Sequence, residues 1–333
     1  MKITITDIAK DTGLSLSTIS KYLNHKSVLP ENRVLIEASI KKLGYTPNKI
    51  AQGLRSKKTQ TIALLIPSFS NYFWGAAVTC IETALREHGY KSIVFSCPPD
   101  PQQQSHIVDL IMGNHVDGII AIVPYIVGDS FTTLCSGSIP VVLLDQVMDS
   151  LSADYVTSDN YEGGYLAGQY FARRHHTRIG FVAGRAHTYT IEMRIRGFLN
   201  ALRDAGIFPP AEYYSYETSA CPTGKEQVEQ LLKLSVPPTA LFFCSYELCY
   251  DGVTALLDAG YKIPEDFSVI TFDDDTLFST VSPRITVIRQ NFEEIGKQAA
   301  RLLLQRMQND KTDFPDRILV PVSLIERSSV KTL

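Results

Sequence analysis

Two kinds of fold follow one another along this chain: a small all-α helix-turn-helix module, then an α/β core of two doubly wound lobes. Three observations predict this. The stretch TDIAKDTGLSLSTISKYLN, Thr6 to Asn24, spaces its apolar residues for two short helices closing on each other through a tight corner. From Ile62 the rhythm changes to short β-rich apolar runs alternating with amphipathic helical stretches. Charge divides the same way: residues 1 to 58 hold 11 Lys or Arg against 4 Asp or Glu, leaving 21 against 31 beyond them.

In the first module, Ile8 and Ala9 belong to one helix and Ile19 and Leu23 to the next. Gly13 can take the left-handed conformation that ends the first helix, and Ser15 or Ser17 can accept from the free N–H groups that open the second. The second helix then presents Leu16, Ser17, Ser20 and Lys21 outward, small or cationic groups suited to a major groove. A third helix is expected from about Asn32 to Leu43, stopping at Gly44. The basic surplus suggests a polyanion as partner. NKIAQGLRSKKTQ, residues 48 to 60, sets Ile50, Ala51 and Leu54 on one face among Lys49, Arg55, Lys57 and Lys58. It is too short to be a stable helix alone and should order only against something else.

The core runs IALLIP, SIVFS, GIIAIV, VVLLD, YVTSD, RIGFVA, ALFFC and FSVITFDD, with helical stretches between most of them. Continuous apolar strands of this kind read as parallel sheets covered on both faces. No GxGxxG opens a helix after the first strand and no GxxxxGK[ST] occurs, so no nucleotide cofactor is implied. At 333 residues, 44% of them apolar and 20% charged, two or three globular domains are expected.

The six cysteines, Cys80, Cys97, Cys135, Cys221, Cys244 and Cys249, show no CxxC and no paired His spacing, which points to neither zinc nor disulfides and fits a reducing cytoplasm. The polar N-terminus and the lack of any run of about 18 apolar residues argue against a signal peptide and a membrane span. Asp273, Asp274 and Asp275 suggest a metal cluster only superficially, because consecutive residues at a strand end point in different directions. His175 and His176, beside Arg173, Arg174 and Arg178 at a helix end, read as solvated surface. No catalytic set emerges.

The segments TITDIAKDTGLSLSTISKYLN, LGYTPN, IAQGLRSKKTQTIALLIPSFSNYF, DNYEGGYLAG, RIRGF and VITFDD, in that order, resemble the lactose/galactose repressor (LacI-type) family of bacterial transcription regulators along essentially the whole chain. The resemblance implies a DNA-binding headpiece (1–46), a hinge helix or linker (47–60) and a periplasmic-binding-protein-like core (61–333). The core would comprise an N-lobe, about 61–157 and 290–319, and a C-lobe, about 158–288 and 320–333. The lobes would be joined by crossings near Ser158, Arg289 and Val320. The function implied is a DNA-binding regulator, a repressor whose operator affinity a small effector controls. The other class sharing this core, a sugar-binding protein or sugar-processing enzyme, lacks the N-terminal motif.

By the same resemblance Leu16 and Ser17 read bases together with Lys21, Ser15, Thr18, Ser20 and Asn24 contact phosphates, and Leu54 wedges into the operator minor groove. After Asn24 the sequence is one residue shorter than the usual pattern, with LPENR where VSEETR is more common. In the cleft, Phe69, Tyr72 and Phe73 follow the first strand and Asp145 ends another. Arg194 and Asp273 match the family's ligand-binding Arg and Asp, and Gln290 and Phe292 lie near a crossing. Tyr246-Glu247 replaces a common Asn-Asp, which alters the pocket there. Aromatic faces with Arg, Asp and Gln suit a hydroxyl-rich effector, a sugar or sugar derivative. The family's C-terminal leucine-heptad helix is absent, as the sequence ends RSSVKTL, so the expected assembly is a homodimer on near-palindromic double-stranded DNA.

Overall fold

The computed structural model describes residues 3–23, 26–46, 59–97, 100–122, 130–145, 147, 151–186 and 188–333. Asn24, Leu54 and residues 47–58 of the linker lie outside this set. The chain divides into two units, residues 1–59 and 60–333.

The first unit is three helices: α1 (Ile5–Thr12), α2 (Leu16–Leu23) and α3 (Pro30–Leu43). Thr4 and Asp7 form a capping box at the start of α1, with the Thr4 N–H donating to Asp7 Oδ2 at 2.9 Å. Gly13 ends that helix at φ 71°. Of the two serines able to open α2, Ser15 does so, its Oγ accepting from the Thr18 N–H at 3.2 Å. Ile8, Ile19 and Ile36, one from each helix and all fully buried, form the core. Helix α3 begins at Pro30 rather than Asn32. Proline is preorganised for a first helical position and lacks only an N–H that would have no partner there.

The second unit holds two six-stranded sheets. The first contains β1 (Thr61–Ile66), β2 (Lys91–Ser96), β3 (Gly118–Ile122), β4 (Val141–Leu144), β5 (Asp154–Ser158) and β11 (Arg317–Val320), in the order β11-β5-β4-β3-β1-β2, all parallel. The second contains β6 (Ile179–Ala183), β7 (Tyr214–Tyr216), β8 (Ala240–Phe243), β9 (Ser268–Phe272), β10 (Thr286–Arg289) and β12 (Ser323–Ile325), in the order β12-β10-β9-β8-β6-β7. Only β12 in the second sheet is antiparallel to its neighbour. Strands β1, β3, β4, β6, β8 and β9 are buried along their whole length, as sheets covered on both faces require.

Helices α4 (Tyr72–Glu87), α5 (Pro101–Gly113) and α6 (Ser130–Ser136) connect strands of the first sheet. Helices α7 (Asn160–Arg173), α8 (Tyr189–Asp204), α9 (Gly224–Leu232) and α10 (Tyr246–Asp258) serve the second. The chain passes between sheets after β5, after β10 and after β11. Between the last two passages α11 (Phe292–Met307) returns to the first sheet, packing on α4 and β5. Arg306 at its end makes a buried ion pair with Asp154, Nε to Oδ2 at 2.8 Å and Nη2 to Oδ1 at 3.0 Å.

Helix α9 is not among the helices expected from apolar rhythm, although Thr223 and Glu226 form a capping box whose T-x-x-E spacing is plain in the sequence. Helix α10 starts at Tyr246, two residues before the expected Leu248, because Ser245 caps it. His176 corrects the expectation of a solvated pair. It is fully buried edge-on against Phe171, its Nε2 is 3.2 Å from the Lys331 carbonyl oxygen, and burial holds the imidazole below its usual pKa. Arginines crowd the sequence here, yet the chain turns inward at His176 to enter β6, while His175 stays exposed.

Candidate functional site

In the first unit, Ser15, Leu16, Ser17 and Lys21 lie exposed along α2 and Thr18 and Ser20 are half-buried. Leu16 is 47% exposed, an apolar side chain on an otherwise hydroxyl-rich surface. The three hydroxyls at the start of α2 form one network, Ser15 Oγ lying 2.9 Å from both Ser17 Oγ and Thr18 Oγ1. Lys21, in the last turn, adds positive charge at the end of a helix anchored by Ile19. Small acceptors at one end of a protruding helix and a long cation at the other are what groove insertion beside phosphates requires.

In the second unit, a cavity of about 310 Å³ lies where the carboxyl ends of strands from both sheets meet. Asn71 and Phe73 follow β1, Asp145 follows β4, Gly184 and Arg185 follow β6, Glu217 follows β7, Ser245 to Glu247 follow β8, and Asp273 follows β9. Carboxyl strand ends are where open α/β sheets bind ligands, since the strands stop there and the loops diverge.

Arg194 is the central cation, only 6% exposed. Its Nε donates to Asn160 Oδ1 at 2.8 Å, its Nη1 donates to the Cys244 carbonyl at 2.6 Å, and its guanidinium lies 3.6 Å from the Phe272 ring centroid. Two glycines make this placement possible. A Cβ at Gly164 would fall 1.9 Å from the Arg194 carbonyl oxygen, and one at Gly197 would fall 1.9 Å from that of Tyr161. Helices α7 and α8 therefore touch backbone to backbone beside Arg194.

Asp145 and Asp273 end their strands at φ 69° and 74°. Burial pushes the Asp145 carboxyl up to about 6, opposed by Arg194 and reinforced by the charge of Asp273. Burial also raises Asp273, against the pull of Arg194 and of Gln290, whose Nε2 donates to Asp273 Oδ1 at 2.5 Å. Gln290 accepts in turn from Ser158 Oγ, so the first two passages between sheets meet at this pair. The three consecutive aspartates have three employments. Asp273 faces the cavity, Asp274 pairs with Arg289 (2.6 Å) and Arg327 (2.8 Å), and Asp275 caps a 3-10 turn through the Leu277 N–H.

Of the residues expected in the cleft, Phe73, Asp145, Arg194, Tyr246 and Asp273 line this cavity. Gln290 and Phe292 line a smaller space beside it with Phe73 and Asp145. Phe69, 67% exposed, and Tyr72 line neither. Helical periodicity separates Tyr72 from Phe73: Phe73 turns inward to make an aromatic cluster with Trp74 and Phe292, ring centroids 4.4 and 5.1 Å away. The Tyr72 N–H instead donates to Tyr246 Oη at 3.2 Å, and Asn71 Nδ2 donates to Glu247 Oε1 at 3.0 Å, tying α4 to α10 across the cleft. The sequence reading missed Asn71, Arg185, Glu217 and Asp251. The first three follow strand ends and could have been found by that position alone.

Comparison with known proteins agrees with both halves of this geometry. Residues 4–48 match the model described as bacterial regulatory proteins, lacI family, and residues 169–330 match a periplasmic binding protein-like domain. The chain is 31% identical to the HTH-type transcriptional regulator DegA of Bacillus subtilis, covering 100% of this chain and 99% of the relative. It is 29% identical to the HTH-type transcriptional repressor CytR of Escherichia coli over 99% and 97%. Among solved structures, a lac repressor dimer bound to operator and an anti-inducer shares the fold at TM-score 0.86, 23% identity and 99% coverage of this chain and 100% of that one. A CelR–cellobiose complex aligns at TM-score 0.75 and 26% identity over 98% and 100%. With a headpiece built for DNA and a core built around a ligand cavity, the chain belongs to the lacI family of DNA-binding transcriptional regulators.

Proposed function

We propose that a hydroxyl-rich small molecule, a sugar or sugar derivative, binds in the cavity between the two sheets and sets the affinity of this regulator for its operator. The observation that carries this reading is the buried Arg194 facing two strand-end carboxylates, Asp145 from the first sheet and Asp273 from the second. A ligand bridging them bonds to both sheets at once and so favours one arrangement of the lobes over another, which is the thermodynamic requirement for an effector. Phe73 and Tyr246 offer ring faces to the ligand's C–H surfaces, and Gln290 positions Asp273. The CelR structure with cellobiose, and an Enterococcus faecium LacI family regulator with bound ribose (27% identity, TM-score 0.71, 82% of this chain and 99% of that one), support a sugar.

On the DNA side, Leu16, Ser17 and Lys21 read base edges, Ser15, Thr18, Ser20 and Asn24 hold phosphates, and Leu54 enters the minor groove. Residues 1–46 form the headpiece, 47–60 the linker and 61–333 the core. Two copies pair so that two recognition helices meet a near-palindromic site. We assign the chain no catalytic role. The test is operator affinity of the full chain by fluorescence anisotropy, with and without ligands found by a thermal-shift screen of sugars, sugar acids and sugar phosphates. Operator binding that no ligand altering the melting point can change would overturn the reading.

A further inference from the structure

Among the described residues the cavity wall carries five carboxylates, Asp145, Glu217, Glu247, Asp251 and Asp273, against two guanidiniums. Both guanidiniums already have partners within the fold. Arg194 is occupied by Asn160, the Cys244 carbonyl and the Phe272 ring, and Arg185 Nε donates to Glu217 at 2.8 Å. Among the described residues, no hydrogen-bond donor reaches the Asp145 carboxylate. Glu247 is held by neutral donors alone, Asn71 and Tyr246. An incoming phosphate or carboxylate would meet a wall on which carboxylates outnumber guanidiniums, at a cost that rises as water is excluded. An ammonium group would meet Glu247 and Asp251, which form no ion pair among the described residues.

From this geometry we infer that the cavity selects its ligand by charge, taking a hydroxyl-rich molecule that carries a protonated amine and refusing phosphorylated or carboxylated ones. The inference rests on the reading of this cavity as the effector site and narrows it. The hydroxyls meet Arg194, Asp145 and Asp273 while the ammonium sits by Glu247 and Asp251. Burial holds Asp145, Asp273 and Glu247 above the usual carboxylate range, with Arg194 drawing the first two back down. A bound cation favours the ionised form of each carboxylate it approaches.

The experiment uses the full chain and matched trios of probes: glucosamine, glucose and glucose 6-phosphate, then galactosamine, galactose and galactose 6-phosphate, followed by thermal shift and titration calorimetry. In at least one trio the amine should bind about tenfold or more tightly than its neutral partner, the scale of a charged hydrogen bond, and neither phosphate should bind. Glu247→Gln and Asp251→Asn should each shrink that preference while leaving the melting point of the unliganded chain near that of the parent. A neutral or phosphorylated member that binds as well as the amine, or silence across both trios, overturns the inference. The two readings fail separately. A preferred ligand that is neutral or anionic, and whose binding Asp273→Asn abolishes, removes the charge selection and keeps the site; a ligand whose effect survives Asp273→Asn removes the site.

Discussion

Asp145 and Asp273 occupy equivalent places in the two sheets. Each is the first residue past its strand, each adopts a left-handed backbone, and each donates its N–H to the next strand, to Val156 at 3.1 Å and to Ile288 at 2.9 Å. Two sheets of like topology thus turn the same kind of residue toward one another, and Arg194 stands between two acids that the fold holds at strained φ values.

Acid should act on the cavity in two opposite ways. Asp145 moves from 3.8 to about 6 on folding, so the folded chain binds the extra proton between those values and stability rises as pH falls from 7 toward 4. A ligand that needs the ionised carboxylate is held less tightly over the same range. Asp145→Asn should therefore stabilise the unliganded chain at pH 7 by about 1 to 2 kcal/mol in urea unfolding, a difference that narrows at pH 5, and should abolish effector binding. A variant less stable than the parent at pH 7 would contradict this.

Gly164→Ala tests the backbone contact behind Arg194. A methyl group 1.9 Å from the Arg194 carbonyl oxygen must push α8 away from α7. The expected cost is about 1 to 3 kcal/mol of stability, with effector affinity falling further than the stability loss explains. Gly206, whose added Cβ would meet nothing but whose φ is 72°, is the control: Gly206→Ala should lose stability and keep its ligand.

The residues proposed to contact DNA divide by chemistry. Lys21→Ala should reduce discrimination between operator and random DNA, whereas Lys57→Ala should weaken both about equally and flatten the salt dependence. Leu54→Ala should lower operator affinity by about 1 to 3 kcal/mol without changing the melting point. Equal losses on both DNAs for Lys21→Ala would move it to the phosphate-contacting group.

Asp154→Ala would strand Arg306, which is 7% exposed at the end of α11. The loss should be about 3 to 5 kcal/mol, read by urea denaturation, because an uncompensated charge stays buried. Replacing the exposed partner of Lys297, by Glu293→Ala, should leave the urea midpoint essentially unchanged, because solvent screens this surface pair.

Much of this was legible because it follows local rules. The helix-turn-helix spacing, the all-apolar strands and the carboxyl-end positions of Asp145 and Asp273 each depend on a few neighbouring residues. What escaped depends on partners far along the chain. Nothing near His176 announces that Thr239 and Lys331 will enclose it. Helix periodicity decided between Tyr72 and Phe73, and register by a single residue set their opposite fates. Asn71 reads as an ordinary helix cap and is one, accepting from the Trp74 N–H; that the other end of its amide reaches Glu247 is a fact of lobe packing alone.

The Asp274 carboxylate, gripping Arg289 and Arg327, bears on where the core can bend. Arg289 is the last residue of β10 before the second passage, and Arg327 lies just beyond β12 after the third. Both return segments are thereby fastened to the second sheet, one residue from the cavity-facing Asp273. Between these anchors and the first sheet lie Gln290 and Asn291 on one side and Pro321 and Val322 on the other, and the proline ring fixes one of their backbone torsions. A ligand that draws on Asp273 would thus load both return segments through its neighbour Asp274, and Ser158, bonded to Gln290, would pass the same load to the first passage.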